Sequence, residues 1–518
     1  MKQSITWARL AVALAITATA GAACTHSGER VEGQTLDPAN SAIAIAAEIR
    51  QGSETPSGQL QRSMQLIGER DEGETGINAI LSLNPQAETQ AVELDAEARA
   101  GRWRGALHGI PVLIKDNIET RDLPTTGGTA ALADNNTGRD AALVEALRNS
   151  GALILGKTNL SELANYMSEN APAGWGTVGG QTRNAHAEGR SACGSSSGSA
   201  AAVAAGYTAI AIGTETNGSI ICPASVNGVV GFKPTVGLVS QFGIIPLSSQ
   251  QDTAGPITQT VRDAALVMDI IADPQANGAV SGGYLTALAT PPTPMRIGVF
   301  RWAEGSDPEV SEHFNNAVQV FASLGYELVD IPEFSPDPVM WFEGDNILRS
   351  RFLADMNAYL ENSPANIPVR SMAELVAFND ALEREGSLPY GQRILRETLE
   401  AIDASSPQHL EVAQAVRRAA SENGIDALLE LHNVDVLILP ASAPAGYLDP
   451  EHVYPEGRQF IGATWLPAMA GYPMLTVPMG QADGLPIGLA FTASAGQDRD
   501  LLALGFAFEQ AMAEAPRD

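Results

Sequence analysis

Cys193-Gly194-Ser195-Ser196-Ser197-Gly198-Ser199-Ala200-Ala201-Ala202-Val203-Ala204-Ala205-Gly206, then Tyr207-Thr208-Ala209-Ile210-Ala211-Ile212, then Gly213-Thr214-Glu215-Thr216-Asn217-Gly218-Ser219-Ile220-Ile221-Cys222-Pro223 is the stretch whose reading decides the fold. A serine run opens into an alanine-rich helix, a short apolar strand follows, and a second corner rich in Gly, Ser and Thr closes the unit. Folding the two loops against each other brings a hydroxyl from each into one pocket, an arrangement suited to nucleophilic chemistry. A Gly/Ser run is more often a flexible linker, but this one continues directly into a helix.

The flanking sequence alternates strand and helix. Residues 110–114 are a short continuous apolar run ending in a charge, which predicts a buried strand with Lys115 at its tip. Helix is expected over 141–149, strand over 153–155, and a helical turn over 161–166 after Gly156-Lys157-Thr158-Asn159. Further strands are expected at 229–232, 237–240, 244–245 and 296–300, with a helix at 261–272. Helices at 41–49, 59–69 and 86–100 wrap the sheet. Residues 307–430 read as a helical elaboration that shapes the substrate mouth, broken by prolines at 332–338, 364 and 368. Strands at 435–439, 474–478 and 487–491 return the chain to the sheet, and 498–512 closes as a helix. The alternation predicts an α/β fold. No linker after residue 40 separates independent cores, so the boundaries are 1–23 for an export signal, 24–40 for a polar tether, and 41–518 for a single large domain with its core at about 105–260.

With 44% hydrophobic residues the chain can bury a large aliphatic core. The formal charge of −29, with no cluster of lysine or arginine, disfavours nucleic acid as a partner. The seven histidines are scattered and no Cys-x-x-Cys occurs, so neither a metal nor another cofactor is expected. The three cysteines are Cys24, Cys193 and Cys222. The last two flank the serine loops and could approach each other, but the expectation is two small buried apolar side chains.

The N-terminus carries Lys2 and Arg9, an apolar run over 10–23, and Ala20-Gly21-Ala22 as a small-x-small cleavage site. This predicts export, either to a bacterial periplasm or to a lipid anchor on Cys24. Membrane contact is expected only through that lipid or signal anchor.

Together with Gly109-Ile110-Pro111-Val112-Leu113-Ile114-Lys115-Asp116-Asn117, the serine stretch resembles the amidase signature family. The serine triplet, Thr214-Glu215-Thr216 and Ser219-Ile220-Ile221-Cys222-Pro223 are most similar to its peptide amidases. The resemblance runs from about residue 40 to the C-terminus. It implies a central mixed β-sheet flanked by helices on both faces, and amide hydrolysis through a lysine, a serine on a cis peptide bond, and a nucleophilic serine. Residue by residue these are Lys115, Ser195 after Gly194, and Ser219. It further implies an oxyanion hole from the main-chain N–H groups of Thr216, Asn217, Gly218 and Ser219, and support of Ser195 by a hydrogen bond from Ser196. Asn217 stands where many members have glycine, which main-chain donors tolerate. For Lys115 to act as a base it must be neutral, and burial lowers a lysine pKa. Asp116 would oppose this, but consecutive side chains of an extended segment point to opposite sides.

A rival sits in the same segment. Gly194-Ser195-Ser196-Ser197-Gly198 fits Gly-x-Ser-x-Gly, which would make Ser196 the nucleophile of an elbow with a downstream acid and histidine. That elbow needs a strand just before it, and residues 182–191 are polar and charged. Ile221 stands where members acting on amino-acid-like amides carry an arginine, so the expected substrate has no free carboxylate near the scissile bond, as in the C-terminal amide of a peptide. Alternatives are a broad hydrolase of aryl, alkyl or fatty amides, a glutaminase subunit of a tRNA-dependent amidotransferase, and an inactive binding protein of the same fold. No obligatory protein partner is expected.

Overall fold

One eleven-stranded sheet runs through the molecule and sets where every loop of interest emerges. The computed structural model describes residues 40–273, 283–290, 295–448 and 462–514. The expected export signal and most of the tether lie outside the described residues.

In chain order the strands are β1 (Ile80–Leu83), β2 (Pro111–Lys115), β3 (Leu153–Thr158), β4 (Ile210–Glu215), β5 (Val230–Lys233), β6 (Thr253–Thr258), β7 (Arg296–Val299), β8 (Glu327–Asp330), β9 (Val436–Pro440), β10 (Met474–Ala482) and β11 (Leu485–Thr492). Their spatial order is β1-β3-β2-β4-β6-β5-β10-β11-β9-β7-β8. β2 lies parallel to both β3 and β4, β7 lies parallel to β8 and β9, and the strands between are antiparallel, so the sheet is mixed.

Alternation along each strand divides the core into two faces. Val112, Ile114, Ile210 and Ile212 join the larger cluster with the helices Ala42–Gln51, Ala142–Asn149 and Val261–Ile271. Leu113 and Ala211 point the other way, against the helices Pro56–Arg70, Ala87–Arg99 and Ser197–Ala204. Lys115 shares the parity of Leu113, so its side chain leaves the strand tip on the face that carries the helix following the serine run. That helix sits very close to the backbone beneath it. A Cβ on Gly198 would lie 2.3 Å from the carbonyl of Ala79 and 2.6 Å from that of Asn159.

Several expectations change. The strand expected over 207–212 begins at Ile210 and continues to Glu215, which carries Thr214 into the sheet. Residues 237–240 and 244–245 form no strands, only isolated bridges from Val239 to Ala272 and from Ile244 to Ile118. The turn at 161–166 is a short 3-10 segment, Glu162–Asn165, with Leu163 and Ala164 at positive φ. β1, β6 and β8 were not expected. β6 contains Gly255-Pro256, ordinarily strand breakers. Here Gly255 permits an approach in which a Cβ would meet the Phe232 carbonyl at 2.1 Å, and Pro256 sits beyond the last rung shared with β5.

Candidate active site

β2 delivers Lys115 into a fully buried position. Its Nζ lies 2.8 Å from Ser195 Oγ, 2.8 Å from Thr214 Oγ1 and 3.2 Å from the Thr214 carbonyl. The Thr214 hydroxyl also accepts from Asn117 Nδ2 at 2.9 Å. Among the described residues, no carboxylate touches the amine. Burial draws the Lys115 pKa down from 10.5 to about 7, against the smaller opposing pull of Asp252 and Glu215.

Asp116 faces away, as the alternation requires. It forms a buried ion pair with Lys157 at 2.9 Å and accepts from the Thr126 N–H at 3.0 Å. Lys157 also reaches Thr125 Oγ1 at 2.8 Å, and burial lowers its pKa while Asp116 opposes. One lysine of this sheet edge is therefore clamped to a carboxylate, and its neighbour is left among hydroxyls.

Ser195 is fully buried behind a cis Gly194–Ser195 peptide. The side chain of Ser196 does something other than support it: Ser196 Oγ donates to the Thr214 carbonyl at 3.1 Å and accepts from the Thr214 N–H at 3.2 Å. It therefore pins β4, and through Thr214 the surroundings of Lys115. The two loops meet where the Ser196 N–H donates to the Ser219 carbonyl at 3.1 Å.

The second loop turns through Gly218 at φ 76, a conformation that favours glycine. Buried Glu215 holds this turn, accepting the N–H of Ile220 at 2.7 Å and of Ile221 at 3.0 Å. Thr216 Oγ1 donates to Asp252 at 2.6 Å, and the other Asp252 oxygen accepts from the Leu247 and Ser248 N–H groups, both at 2.8 Å. Burial raises the Asp252 pKa to about 6. Among the described residues, the main-chain N–H groups of Thr216, Asn217, Gly218 and Ser219 donate to no backbone or side-chain acceptor.

A cavity of about 480 Å³ opens over this turn, with Gly194, Thr216, Asn217 and Ser219 in its floor. Lys115 and Ser195 lie beneath it, sealed from solvent, while Ser219 keeps 6% exposure. Its walls are largely apolar, from Met340, Trp341, Ile347 and Leu348 on the helix Val339–Asn362, Val416 on Pro407–Ala420 and Met469 on Trp465–Ala470. Asp345 is the one charged lining residue among those described; it accepts from Tyr166 Oη at 2.6 Å and pairs with Arg349 at 2.6 Å. Ile221 is not in the wall: it is fully buried in the core cluster beneath β9 and β10.

The cysteines correct the expectation of two isolated apolar side chains. Cys193 and Cys222 form a disulfide, both half-buried, with Cα atoms 6.0 Å apart. The sequence signal was their position on either side of the two loops; nothing local distinguished a bond from mere proximity. Thr214, Asn117, Asp252 and Glu215 were also missed as parts of the site. Thr214 and Glu215 stand inside the motif, whereas Asp252 lies beyond it in a segment with no recognisable pattern.

This sheet, with a buried amine under two serine-bearing loops, defines an amide-hydrolysing enzyme. The family model described as Amidase matches residues 66–502, and the chain belongs to the amidase signature family. Native peptide amidase from Stenotrophomonas maltophilia has a similar structure, with a TM-score of 0.84 and 38% identity, covering 91% of this chain and 97% of that one. A probable amidase of Arabidopsis thaliana is 35% identical over 84% of this chain and 83% of its own length. A glutamyl-tRNA(Gln) amidotransferase component of Thermus thermophilus is 33% identical over 91% of this chain and 97% of its own length.

Proposed function

We propose that the protein hydrolyses the C-terminal amide of peptides to carboxylate and ammonia through an acyl-enzyme on Ser219. Neutral Lys115 takes the Ser195 proton, Ser195 takes the Ser219 proton, and Ser219 Oγ attacks the amide carbon from the cavity floor. The oxyanion is received by the free N–H groups of residues 216–219. The proton returns along the same relay to the departing nitrogen, which leaves as ammonia, and water entering by the same route releases the acid.

The observation that carries this reading is the environment of Lys115: fully buried, 2.8 Å from Ser195, its amine bonded among the described residues to hydroxyls and a carbonyl alone, and its pKa lowered to about 7. An amine so placed is a base at neutral pH. The peptide-amide preference is supported by a cavity lined by no lysine or arginine among the described residues, which offers a substrate carboxylate no cation. It is supported too by the 38% identity to a peptide amidase. Dependence on a partner, as in an amidotransferase, is the competing outcome.

Ammonia release from acetylated dipeptide amides, benzamide, a long-chain amide and free glutamine, with Ser219→Ala as blank, tests the proposal. The peptide amides are expected to lead; a lead for glutamine, or activity only in a complex, refutes the substrate. Turnover undiminished in the blank refutes the nucleophile. Export is proposed as well, from the residues ahead of Cys24 and from the disulfide, which persists in oxidising compartments. The mass and lipid content of the N-terminus of the mature protein checks it.

A further inference from the structure

Proton transfer along the relay makes no use of sulfur, yet a covalent bond joins the two loops that carry its serines. Cys193 lies two residues ahead of Ser195, and Cys222 three residues past Ser219. The geometry points to the Cys193–Cys222 disulfide as the positioning element of the site, setting the separation of the Ser195 and Ser219 hydroxyls so that breaking it lowers turnover without unfolding the protein or emptying the cavity. This rests on the proposed relay.

Three observations carry it. First, apart from the two hydrogen bonds by which Ser196 Oγ holds the Thr214 backbone on β4, direct ties between the loops are sparse. The Ser196 N–H donates to the Ser219 carbonyl at 3.1 Å, while Ser197 Oγ and the Cys193 carbonyl, 2.5 Å apart, bond within the first loop alone. Second, a further brace converges on the same junction. Buried Asn227 donates through Nδ2 to the Ala192 carbonyl at 3.1 Å and to the Pro223 carbonyl at 2.8 Å, one residue outside each cysteine. Two independent links across one junction mark it as a place where spacing is controlled, and the Asn227 brace keeps the segments together when the sulfur bond is gone. Third, the cavity walls stand on the helices Val339–Asn362, Pro407–Ala420 and Trp465–Ala470, none of which is attached to the disulfide. Of the lining, the floor at Gly194 adjoins Cys193, whereas the walls that receive the substrate stand apart from the disulfide. The two cysteines are half-buried and pack beside Val226, Ala445 and Leu485.

Reduction by a dithiol breaks the sulfur–sulfur bond and leaves Cys193 and Cys222 each with a proton, while the dithiol closes to its own disulfide. Misplacing reacting groups by about 1 Å costs about 100-fold in rate, and with Asn227 still holding, a loss of about tenfold in kcat is expected. KM should move by less than about threefold, because the walls are untouched.

The full-length protein is compared oxidised, reduced by dithiothreitol, and as the double variant Cys193→Ala/Cys222→Ala, with ammonia release from a peptide amide as the assay. Thiol labelling mapped by mass spectrometry establishes each state, and far-UV circular dichroism checks the fold. The expected result is an unchanged spectrum, a lower kcat, a nearly constant KM and a larger solvent deuterium isotope effect on kcat. Partial unfolding would reduce kcat without enlarging the isotope effect. Unchanged kcat in the reduced protein and double variant overturns the inference and leaves the proposed reaction standing. So does a fall in kcat that tracks loss of the spectrum, or labelling of Cys193 and Cys222 before any reduction. An oxidised protein inactive on every amide of the panel removes the proposed reaction, and the inference with it.

Discussion

Replacing Lys115 with methionine should make the protein more stable at acidic pH while abolishing its activity. The amine is fully buried, with its pKa lowered from 10.5 to about 7. At 1.36 kcal/mol per pH unit, burying this amine costs about 5 kcal/mol at and below neutral pH, where the unfolded chain carries it charged in water. Methionine removes that cost but also removes the contacts to Ser195 Oγ, Thr214 Oγ1 and the Thr214 carbonyl, a loss of about 3 kcal/mol at roughly 1 kcal/mol each. The net expectation is a variant more stable by about 2 kcal/mol near pH 6. The sign reverses on the alkaline side. Between about 7 and 10.5 the unfolded chain holds a proton on this lysine that the folded chain does not, so wild-type stability rises with pH relative to the variant. Near pH 10 the variant should be the less stable by about 2 kcal/mol. Urea unfolding of both proteins near pH 6, 8 and 10 isolates the difference, because every other titrating group is shared. Ammonia release should fall by about 1,000-fold, and wild-type kcat/KM should drop about tenfold per pH unit below neutrality. A variant destabilised equally at pH 6 and pH 10 would mean that folding leaves the lysine pKa where the unfolded chain has it, and the reasoning would fail.

Three further outcomes follow from the same geometry. Asp252→Asn removes the leading carboxylate that holds the Lys115 pKa up, so the acid limb of kcat/KM should move to lower pH; a shift the other way counts against the electrostatic account. Asp116→Ala leaves buried Lys157 without its counter-charge and should destabilise by about 3–5 kcal/mol in urea unfolding, most of it recovered in Asp116→Ala/Lys157→Met. Gly344→Leu fills the cavity beside Met469, whose methyl lies 3.0 Å from where a Cβ would sit. KM for peptide amides should rise by about tenfold while turnover of the smallest amides is spared, as steady-state kinetics will report.

What the sequence made legible was what local pattern encodes. The apolar run before Lys115 and the alanine-rich helix after the serines are apolar and buried throughout, the helix Pro308–Ser323 shows one buried face, and the structure has them within a few residues. β6 was hidden because Gly255-Pro256 reads as a break unless one knows that Phe232 presses against it. β8, at the sheet edge with exposed Glu327 and Asp330, lacks an apolar signature. In the candidate site, residues inside the motif could be named, but their neighbours from other segments could not. That Asp252 meets Thr216, that Asp116 meets Lys157, and that Ile221 turns into the core are consequences of tertiary folding over long separations. Two cysteines 29 residues apart fit a bond or a coincidence equally well until the loops between them are placed.

The two lysines at the tips of adjacent strands have a consequence for how such a centre can arise and be lost. Ile114 pairs with Lys157 and Lys115 with Thr158, so the two amines leave neighbouring rungs of the same ladder, and under the proposed relay what separates a strut from a reagent is the company each keeps. A single mutation that introduced an acidic side chain beside Lys115 would turn it into a second strut, with little change in shape and a silent active centre. Purifying selection on this enzyme should therefore act as strongly against gained carboxylates around that amine as against loss of the amine itself.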